Sequence, residues 1–182
     1  MKIDILFLNN EMNGHDEYFD NDLFQEYCET HSFEGKKNQI LSVPPSYSKS
    51  ENLTFIVGLG ENKEDINFYD LGTLIGSKIN SDAEIKFLNV VEDTNLIIDG
   101  ILYVQYKFNN YKSEDDSSVN NITFQDLDSS ENEIKKNSVF WVRDLINTPA
   151  LDKSPEEFIN KVRELVDSSG IEVEVYDQKW LE

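Results

Sequence analysis

A continuous apolar run in the first half of the chain is the feature that most constrains the fold. Residues 53–60 read Leu-Thr-Phe-Ile-Val-Gly-Leu-Gly, without alternation of apolar and polar side chains. Such a run is typical of a strand that is covered on both faces. Strands of this kind occur in α/β proteins, where helices pack on the two sides of a sheet. The run therefore predicts an α/β fold built around a buried central strand.

Helices and strands are predicted to alternate around this run. Alternating or apolar segments predict further strands at residues 3–7, 40–43, 84–91 and 122–124. Apolar residues at helical spacing predict helices at residues 23–27, 64–80, 95–108 and 133–146. The helix at 95–108 is apolar nearly all round, which predicts burial on more than one side. Because the segment before Pro44-Pro45 is irregular, we expect a mixed, mostly parallel sheet with helices on both faces.

A helix boundary near residue 148 divides the predicted chain. Because Pro149 disfavours helical geometry at the residue before it, the preceding helix is predicted to end near Asn147. Ser154 is a suitable cap for a following helix, with Pro155 at the first helical position and Glu157 at the third. The predicted buried stripe of that helix contains Phe158, Ile159, Val162, Leu165 and Val166.

Beyond this helix, the chain reads as the start of a further unit. Ser168-Ser169-Gly170 is predicted to end the helix, and residues 171–177 alternate as in a strand. We therefore expect an N-terminal α/β domain at residues 1–148. Residues 149–182 are predicted to be the first helix and strand of a truncated second domain. The strand at 171–177 is expected to pack loosely, or to pair with another copy through its open edge.

Composition excludes several classes of function. The net charge is −20 over 182 residues, so that the surface repels phosphate backbones and binding to nucleic acid is disfavoured. Cys28 is the single cysteine, which excludes an intrachain disulfide and suits a reducing cytosol. Residues 1–8 lack the basic start and cleavage site of a signal peptide. No apolar stretch approaches the ~18–20 residues of a membrane span. We expect a cytoplasmic protein without a membrane partner.

A glycine pair is the one candidate for phosphate binding. Gly58-Leu59-Gly60 follows a predicted strand and precedes a predicted helix, as phosphate-binding turns do. The full Gly-x-Gly-x-x-Gly pattern fails because Lys63 stands at its last position. A lone glycine pair usually serves a tight turn. The turn is therefore the favoured interpretation, and an approach of backbone amides to an anion at Gly60 is the alternative.

The remaining reactive side chains form no recognisable catalytic set. His15 lies in an acidic segment without the ligand spacing of a zinc or calcium site, so a solvated loop is favoured. His31 is the only other histidine, and Cys28 is expected to be a half-buried structural thiol. Arg143 and Asp144 are adjacent on a helix and therefore point in different directions, which favours helix-end contacts. The sequence predicts no catalytic, cofactor-binding or metal-binding residue.

The junction resembles a known family. Residues 143–150, Arg-Asp-Leu-Ile-Asn-Thr-Pro-Ala, followed by Ser-Pro-Glu at 154–156, resemble the opening of the catalytic region of leucyl (cytosol) aminopeptidases. Val57-Gly58-Leu59-Gly60 is similar to the family's central strand and turn. Gly100 with residues 106–113, Tyr-Lys-Phe-Asn-Asn-Tyr-Lys-Ser, and residues 172–177, Glu-Val-Glu-Val-Tyr-Asp, follow in the family's order. The resemblance covers residues 53–182.

This resemblance implies a two-part enzyme. Its N-terminal α/β domain has a macro-domain-like fold, and its catalytic domain carries two divalent metal ions, zinc or manganese, that activate a water against a peptide bond. The family's metal ligands and catalytic residues lie beyond residue 182, so none is assigned to a residue here. The resemblance also implies a homo-oligomer, a hexamer, with the chain's own catalytic domain as partner and peptides as substrates.

Three positions depart from the family pattern. The family usually has asparagine where Leu151 stands, an apolar residue where Lys153 stands, and arginine where Lys107 stands. We expect the N-terminal domain of a leucyl aminopeptidase, inactive as this fragment. The alternatives are a stand-alone macro-like module that binds ADP-ribose or a related nucleotide at residues 58–62, and an assembly domain of an inactive relative.

Overall fold

The computed structural model describes residues 1–111, 119–167, 169–176 and 180. They form five strands, β1 to β5, at Lys2–Leu8, Ile40–Val43, Leu53–Gly58, Ala83–Phe87 and Ile122–Phe124. They also form five α-helices, α1 to α5, at Asn21–Thr30, Phe68–Gly76, Thr94–Tyr103, Ser130–Asn147 and Pro155–Val166. Short 3-10 turns lie at Pro45–Tyr47, Lys63–Asp65 and Ala150–Asp152.

The five strands make one sheet in the order β2-β3-β1-β4-β5. β1 is parallel to both β3 and β4, with Ile3 opposite Leu53 on one side and Ile85 on the other. β4 and β5 are parallel, whereas β2 runs antiparallel to β3. The predicted fold class, a mixed and mostly parallel sheet with helices, is confirmed. β3 is an interior strand as predicted, although β1 occupies the middle of the order.

The sheet has an apolar core on each face, because successive side chains of a strand point to opposite sides. Ile5 and Val57 belong to the core that α2 and α3 cover. Leu6 and Ile56 belong to the other core, where Phe24 and Cys28 of α1 lie. The helices therefore cover both faces of the sheet.

α2 and α3 approach each other closely because glycines line their contact. A Cβ on Gly72 would lie 2.2 Å from the carbonyl oxygen of Ile97, and a Cβ on Gly100 would lie 2.2 Å from that of Tyr69. Only residues without a side chain fit at these two positions. The predicted burial of α3 on more than one side is confirmed, since residues 97–102 are all buried.

Several predicted element ends were wrong. The helix predicted at 64–80 is α2, which begins after the capping residue Asn67 and ends at Gly76. The helix predicted at 95–108 ends at Tyr103, after which the buried Gln105 side chain donates to the carbonyl of Gly76 at 2.9 Å. The helix predicted at 133–146 is α4, which begins earlier, at Ser130, whose amide donates to the Asp128 carboxylate at 3.0 Å.

Residues 141–182 form a compact unit separate from residues 1–140. Within this second unit, α5 begins as predicted, because the Glu157 amide donates to Ser154 Oγ at 3.2 Å. The predicted buried stripe of α5 was wrong, since none of its residues is buried.

The strand predicted at residues 171–177 was also wrong. Residues 171–176 pair with no strand of the described chain, and a β-strand is stable only when a neighbour completes its hydrogen bonds. Residues 112–118, 168, 177–179, 181 and 182 lie outside the described residues, and Ser168 of the predicted helix end and Asp177 of the predicted strand are among them.

Candidate functional site

The carboxyl edge of the sheet is where an α/β fold normally takes a ligand. In open sheets with parallel strands, ligands bind outside the carboxyl ends of the strands, at the point where the strand order reverses. Here the chain passes from β1 to β3 on one side, and then to β4 on the other side of β1. In this fold the corresponding crevice lies between the carboxyl ends of β1 and β4.

The Asn89 side chain occupies this crevice. The Phe7 amide donates to Asn89 Oδ1 at 2.9 Å, and Asn89 Nδ2 donates to the Phe7 carbonyl at 2.7 Å. The side chain thus replaces a strand residue opposite Phe7, which explains why β4 ends at Phe87 rather than at residue 91 as predicted. The Tyr18 hydroxyl also donates to the carbonyl of Leu88 at 2.8 Å. The main-chain groups of Phe7 and Leu88 at this edge are therefore engaged within the protein.

The neighbouring glycine pair holds a turn together. The Gly58 amide donates to Gln39 at 2.8 Å, the Leu59 amide to Leu8 at 2.8 Å and the Gly60 amide to Gly35 at 2.9 Å, always at a main-chain carbonyl. All three amides that could hold a phosphate are therefore engaged within the protein. This result supports the favoured interpretation of the pair as a tight turn.

Close backbone contact explains why glycines stand there. A Cβ on Gly58 would lie 2.1 Å from the carbonyl oxygen of Lys36, too close for any side chain. Gly60 has a φ of +76°, in the left-handed region that disfavours other residues. The glycine pattern that suggested phosphate binding is thus required by packing against residues 35–37.

A shallow cavity of about 270 Å³ opens beside this turn, lined in part by Asn10, Lys36, Lys37 and Glu61. Both lysines are engaged: Lys36 pairs with Glu34, and Lys37 donates to the carbonyl of Asp65. Asn10 Nδ2 donates to Glu61 at 3.3 Å, which leaves a carboxylate on the cavity wall. Paired lysines beside a carboxylate are a poor match for a diphosphate.

The acidic loop around His15 is largely exposed, as predicted, but the His15 ring itself packs against the core. Only 14% of its side chain is exposed, and its ring stacks on the buried Phe24 with the centroids 4.4 Å apart. Nδ1 lies 2.5 Å from the carbonyl oxygen of Met12, and the buried Nε2 has no hydrogen-bond partner in the described chain. His15 thus packs the loop at residues 9–20 against the core that α1 covers.

The other candidate side chains have structural roles. His31 is exposed and packs against the Tyr27 ring, with the centroids 4.2 Å apart. Cys28 is buried rather than half-buried, with 4% exposure, and desolvation raises the pKa of its thiol to about 11. At neutral pH the thiol is protonated and unreactive. At the end of α4, the main-chain carbonyl of Asp144 accepts from the Thr148 amide at 2.9 Å and from its hydroxyl at 2.7 Å.

Sequence reasoning missed a buried carboxylate on β1. Asp4 is 3% exposed, and its two oxygens accept from Ser50 Oγ at 2.5 Å and Asn52 Nδ2 at 3.2 Å. Both partners come from the segment that leads into β3, so the cluster ties that segment to β1. The only sequence signal for this cluster was a polar residue, Asp4, inside the apolar strand β1. That signal did not reveal which residues would bond to its carboxylate. The cluster lies at the amino end of the sheet, away from the usual ligand edge.

No metal centre is found within residues 1–111, 119–167, 169–176 and 180. This part of the chain contains no group of three histidine, cysteine, aspartate or glutamate side chains that could hold a metal ion. The described residues therefore offer no ligand set for the two metal ions that the family resemblance implies. Among the same residues, no helix is long and apolar enough to cross a membrane.

The chain has similar relatives among proteins of known sequence. No family model matches the chain. A probable cytosol aminopeptidase of Clostridium tetani is 25% identical over 87% of this chain and 37% of the relative. A probable cytosol aminopeptidase of Aquifex aeolicus is 24% identical over 85% of this chain and 34% of the relative. The chain is similar to the cytosol aminopeptidases. The resemblance stated from the sequence is confirmed, and the chain spans about a third of the length of these relatives.

Solved structures show the same fold. The cytosol aminopeptidase of Coxiella burnetii matches 92% of this chain and 36% of its own, with a TM-score of 0.66 and 21% identity. A tomato leucine aminopeptidase mutant gives the same TM-score over 92% of this chain, with 14% identity. The bottromycin maturation enzyme BotP, in a structure with Mn, reaches a TM-score of 0.71 over 99% of this chain, with 15% identity. At these identities the matches establish the fold alone.

Proposed function

We propose that this chain is the N-terminal part of a leucyl aminopeptidase, an enzyme that removes N-terminal residues from peptides. The observation that carries the proposal is the similarity to cytosol aminopeptidases over 81–87% of the chain. It agrees with the carboxyl edge of the sheet, where the main chain of Phe7 is already paired with the Asn89 side chain. In this proposal, peptide hydrolysis takes place in a catalytic domain with two divalent metal ions, zinc or manganese, and the chain itself is inactive.

The two parts of the chain have different roles in the proposal. Residues 1–148 form the assembly or regulatory domain, and residues 149–182 begin the catalytic domain. Large apolar side chains of the second part are exposed: Phe158 is 44% exposed, Leu165 54% and Ile171 63%. An exposed apolar face of this size suits burial against further polypeptide. The partner of residues 149–182 is then the chain's own catalytic domain.

The proposed protein is a cytoplasmic homo-oligomer, a hexamer. Its net charge of −20 opposes binding to nucleic acid, and peptides are the substrates of the catalytic domain. Lys153, one of the departures from the family pattern, is compatible with this arrangement. Its Nζ donates to the carbonyl of Leu145 at 2.6 Å and so caps the end of α4. The substitution therefore replaces an apolar contact by a helix cap without altering any group assigned to chemistry.

A domain exchange tests the proposal. This chain would replace the matching third of the Clostridium tetani relative, and hydrolysis of leucyl-p-nitroanilide with Mn²⁺ or Zn²⁺ would be measured together with the particle mass. We expect the chimera to be an active homo-oligomer, and the chain alone to release no p-nitroaniline. A matched control chimera carries Leu71→Ala, which removes a fully buried side chain from the α2 core. Hydrolysis by the isolated chain that a metal chelator abolishes would contradict the proposal.

Calorimetric titration of the chain with ADP-ribose tests the alternative, a nucleotide-binding module. The engaged amides of residues 58–60 and the Asn89 side chain predict no saturable heat. Saturable binding that Gly60→Ala weakens would favour the nucleotide module over the aminopeptidase domain.

A further inference from the structure

Asn13-Gly14 is the one asparagine–glycine pair in the sequence. It lies in the loop at residues 9–20, between β1 and α1, which carries the buried Phe19 and the packed His15. Asparagine followed by glycine is chemically special, because glycine has no side chain to obstruct its own amide nitrogen. The Gly14 nitrogen is bonded to the main-chain carbonyl carbon of Asn13. The same nitrogen can also reach Cγ, the carbonyl carbon of the Asn13 side chain.

The structure leaves this pair open to reaction. The Asn13 side chain is exposed, and its Nδ2 donates to the Glu11 carboxylate at 2.8 Å. Gly14 has a φ of +86°, and a Cβ built on it would meet no atom within 4 Å. The Gly14 amide makes no hydrogen bond to the described part of the chain. Neither packing nor hydrogen bonding therefore holds the attacking nitrogen in place.

We propose that Asn13 is a site of spontaneous deamidation. The Gly14 nitrogen loses its proton to solvent and bonds to Asn13 Cγ; the bond from Cγ to Nδ2 breaks, and Nδ2 leaves as ammonia after taking up a proton. Water then opens the resulting five-membered imide at either carbonyl. One opening gives aspartate, and the other gives isoaspartate, in which the main chain runs through Cγ. No oxidant, enzyme or metal ion takes part, and the inference does not depend on the proposed function.

The modification acts on a contact that closes the loop. His15 Nδ1 lies 2.5 Å from the carbonyl oxygen of Met12, so this contact spans the reacting pair. Isoaspartate adds one methylene to the main chain between the two contact residues, and either product adds a negative charge to a chain of net charge −20. We therefore expect isoaspartate to release His15 from its stacked position on Phe24. Aspartate changes the charge without changing the length of the chain.

Peptide mapping by mass spectrometry tests the proposal. After incubation of the whole chain in mildly alkaline buffer at physiological temperature, the peptide with Asn13 should gain about 1 Da, since an amide NH₂ becomes OH. Labelling by an isoaspartyl methyltransferase should mark the same peptide. Asn137-Ser138 is an internal control, because Asn137 is also exposed but lies inside α4, where the helix holds the main-chain nitrogens. It should remain intact over the same period.

Two variants separate the deamidation itself from its effect on His15. Asn13→Gln should stop the gain in mass of this peptide, because a glutamine would have to close a larger ring, which forms more slowly. Asn13→Asp should reproduce the charge of the product without the added methylene, and should keep the His15 ring signal of the fresh protein in NMR spectra. The aged protein should lose that signal in proportion to its isoaspartate content. An Asn13 peptide that stays unmodified while Asn137 reacts, or an equal gain in Asn13→Gln, would overturn the proposal.

Discussion

Two helices that both begin at a side-chain cap, α2 and α5, differ in how far they are buried. α2, in residues 1–140, begins at the cap Asn67, and five of its nine residues are buried. α5, in residues 141–182, begins at the cap Ser154 with Pro155 at the first position, and none of its twelve residues is buried. Both have an apolar stripe at helical spacing. A cap and a stripe thus specify where a helix forms, whereas burial depends on whether another apolar surface is present to cover the stripe.

The same contrast applies to the two units as a whole. The first unit contains two apolar cores, one on each face of the sheet. In the second unit, as far as the structure describes it, no large apolar side chain is buried, and Leu151 is 96% exposed. Since apolar burial is the main favourable term in folding, the first unit should determine the global stability of the chain. The second unit should be held mainly by its local hydrogen bonds.

The largest expected effect comes from one substitution made in both units. Leu71→Ala removes a side chain that is 0% exposed, and should lower the free energy of unfolding by about 2–5 kcal/mol. Leu165→Ala removes one that is 54% exposed, and should change it by less than about 0.5 kcal/mol. Urea denaturation followed by circular dichroism measures both. Equal losses in the two variants would show that the second unit has a core of its own.

Cys28, in the first unit, should make the stability of the chain depend on alkaline pH. Burial raises the pKa of the Cys28 thiol from its ordinary 9.0 to about 11. Below pH 9 both states hold the thiol proton, and the contribution to stability is complete. Between these values the unfolded chain loses the proton and the folded chain keeps it, so stability falls by up to about 1.4 kcal/mol per pH unit.

Comparison with Cys28→Ala isolates this effect, because other groups also titrate in alkaline solution. Denaturation midpoints of the two proteins should converge between pH 9 and 11 as the wild-type chain loses its advantage. Reaction of the thiol with Ellman's reagent at neutral pH should be slow in the folded protein and fast in urea. Parallel pH curves, or rapid labelling of the folded protein, would mean that the thiol is not shielded.

The smallest expected effect concerns the two caps. Asn67→Ala and Ser154→Ala each remove an acceptor that lies 3.2 Å from a helix amide, which costs about 1 kcal/mol locally. Asn67→Ala should shift the global denaturation midpoint, because α2 is part of the core. Ser154→Ala should leave the midpoint unchanged and speed hydrogen exchange only in α5. A common shift in the midpoint would show that both units unfold as one.

Sequence reasoning identified the elements well and their ends less well. Leu53–Gly58, Ile40–Val43 and Ile122–Phe124 form strands where apolar runs predicted them. The misplaced ends depend on contacts between distant segments: β4 stops at Phe87 because Asn89 pairs with Phe7. Such a contact joins residues 82 positions apart, and no local pattern announces it.

In the candidate site, too, the local features were predictable from the sequence and the distant contacts were not. The failed glycine pattern at Gly58 and Gly60 already favoured a turn, and the occupied amides support that interpretation. The surroundings of His15 could not be foreseen, because an acidic sequence around a histidine suggests solvent. Its contact with Phe24 arises only when the loop folds back on α1.

The sequence by itself determined the fold class, the end of α4 before Pro149, the cap at Ser154 and the resemblance to leucyl aminopeptidases, because these depend on local backbone preferences and on motifs. Only the tertiary structure decided which apolar stripes are buried and which side chain pairs with Phe7 at the carboxyl edge of the sheet. Burial requires a matching surface from elsewhere in the chain: α2 meets α3 through Gly72 and Gly100, whereas the described residues contain no strand that pairs with residues 171–176. The physical reason is that hydrogen-bond and packing partners are chosen in space, and a sequence pattern specifies only one member of each pair.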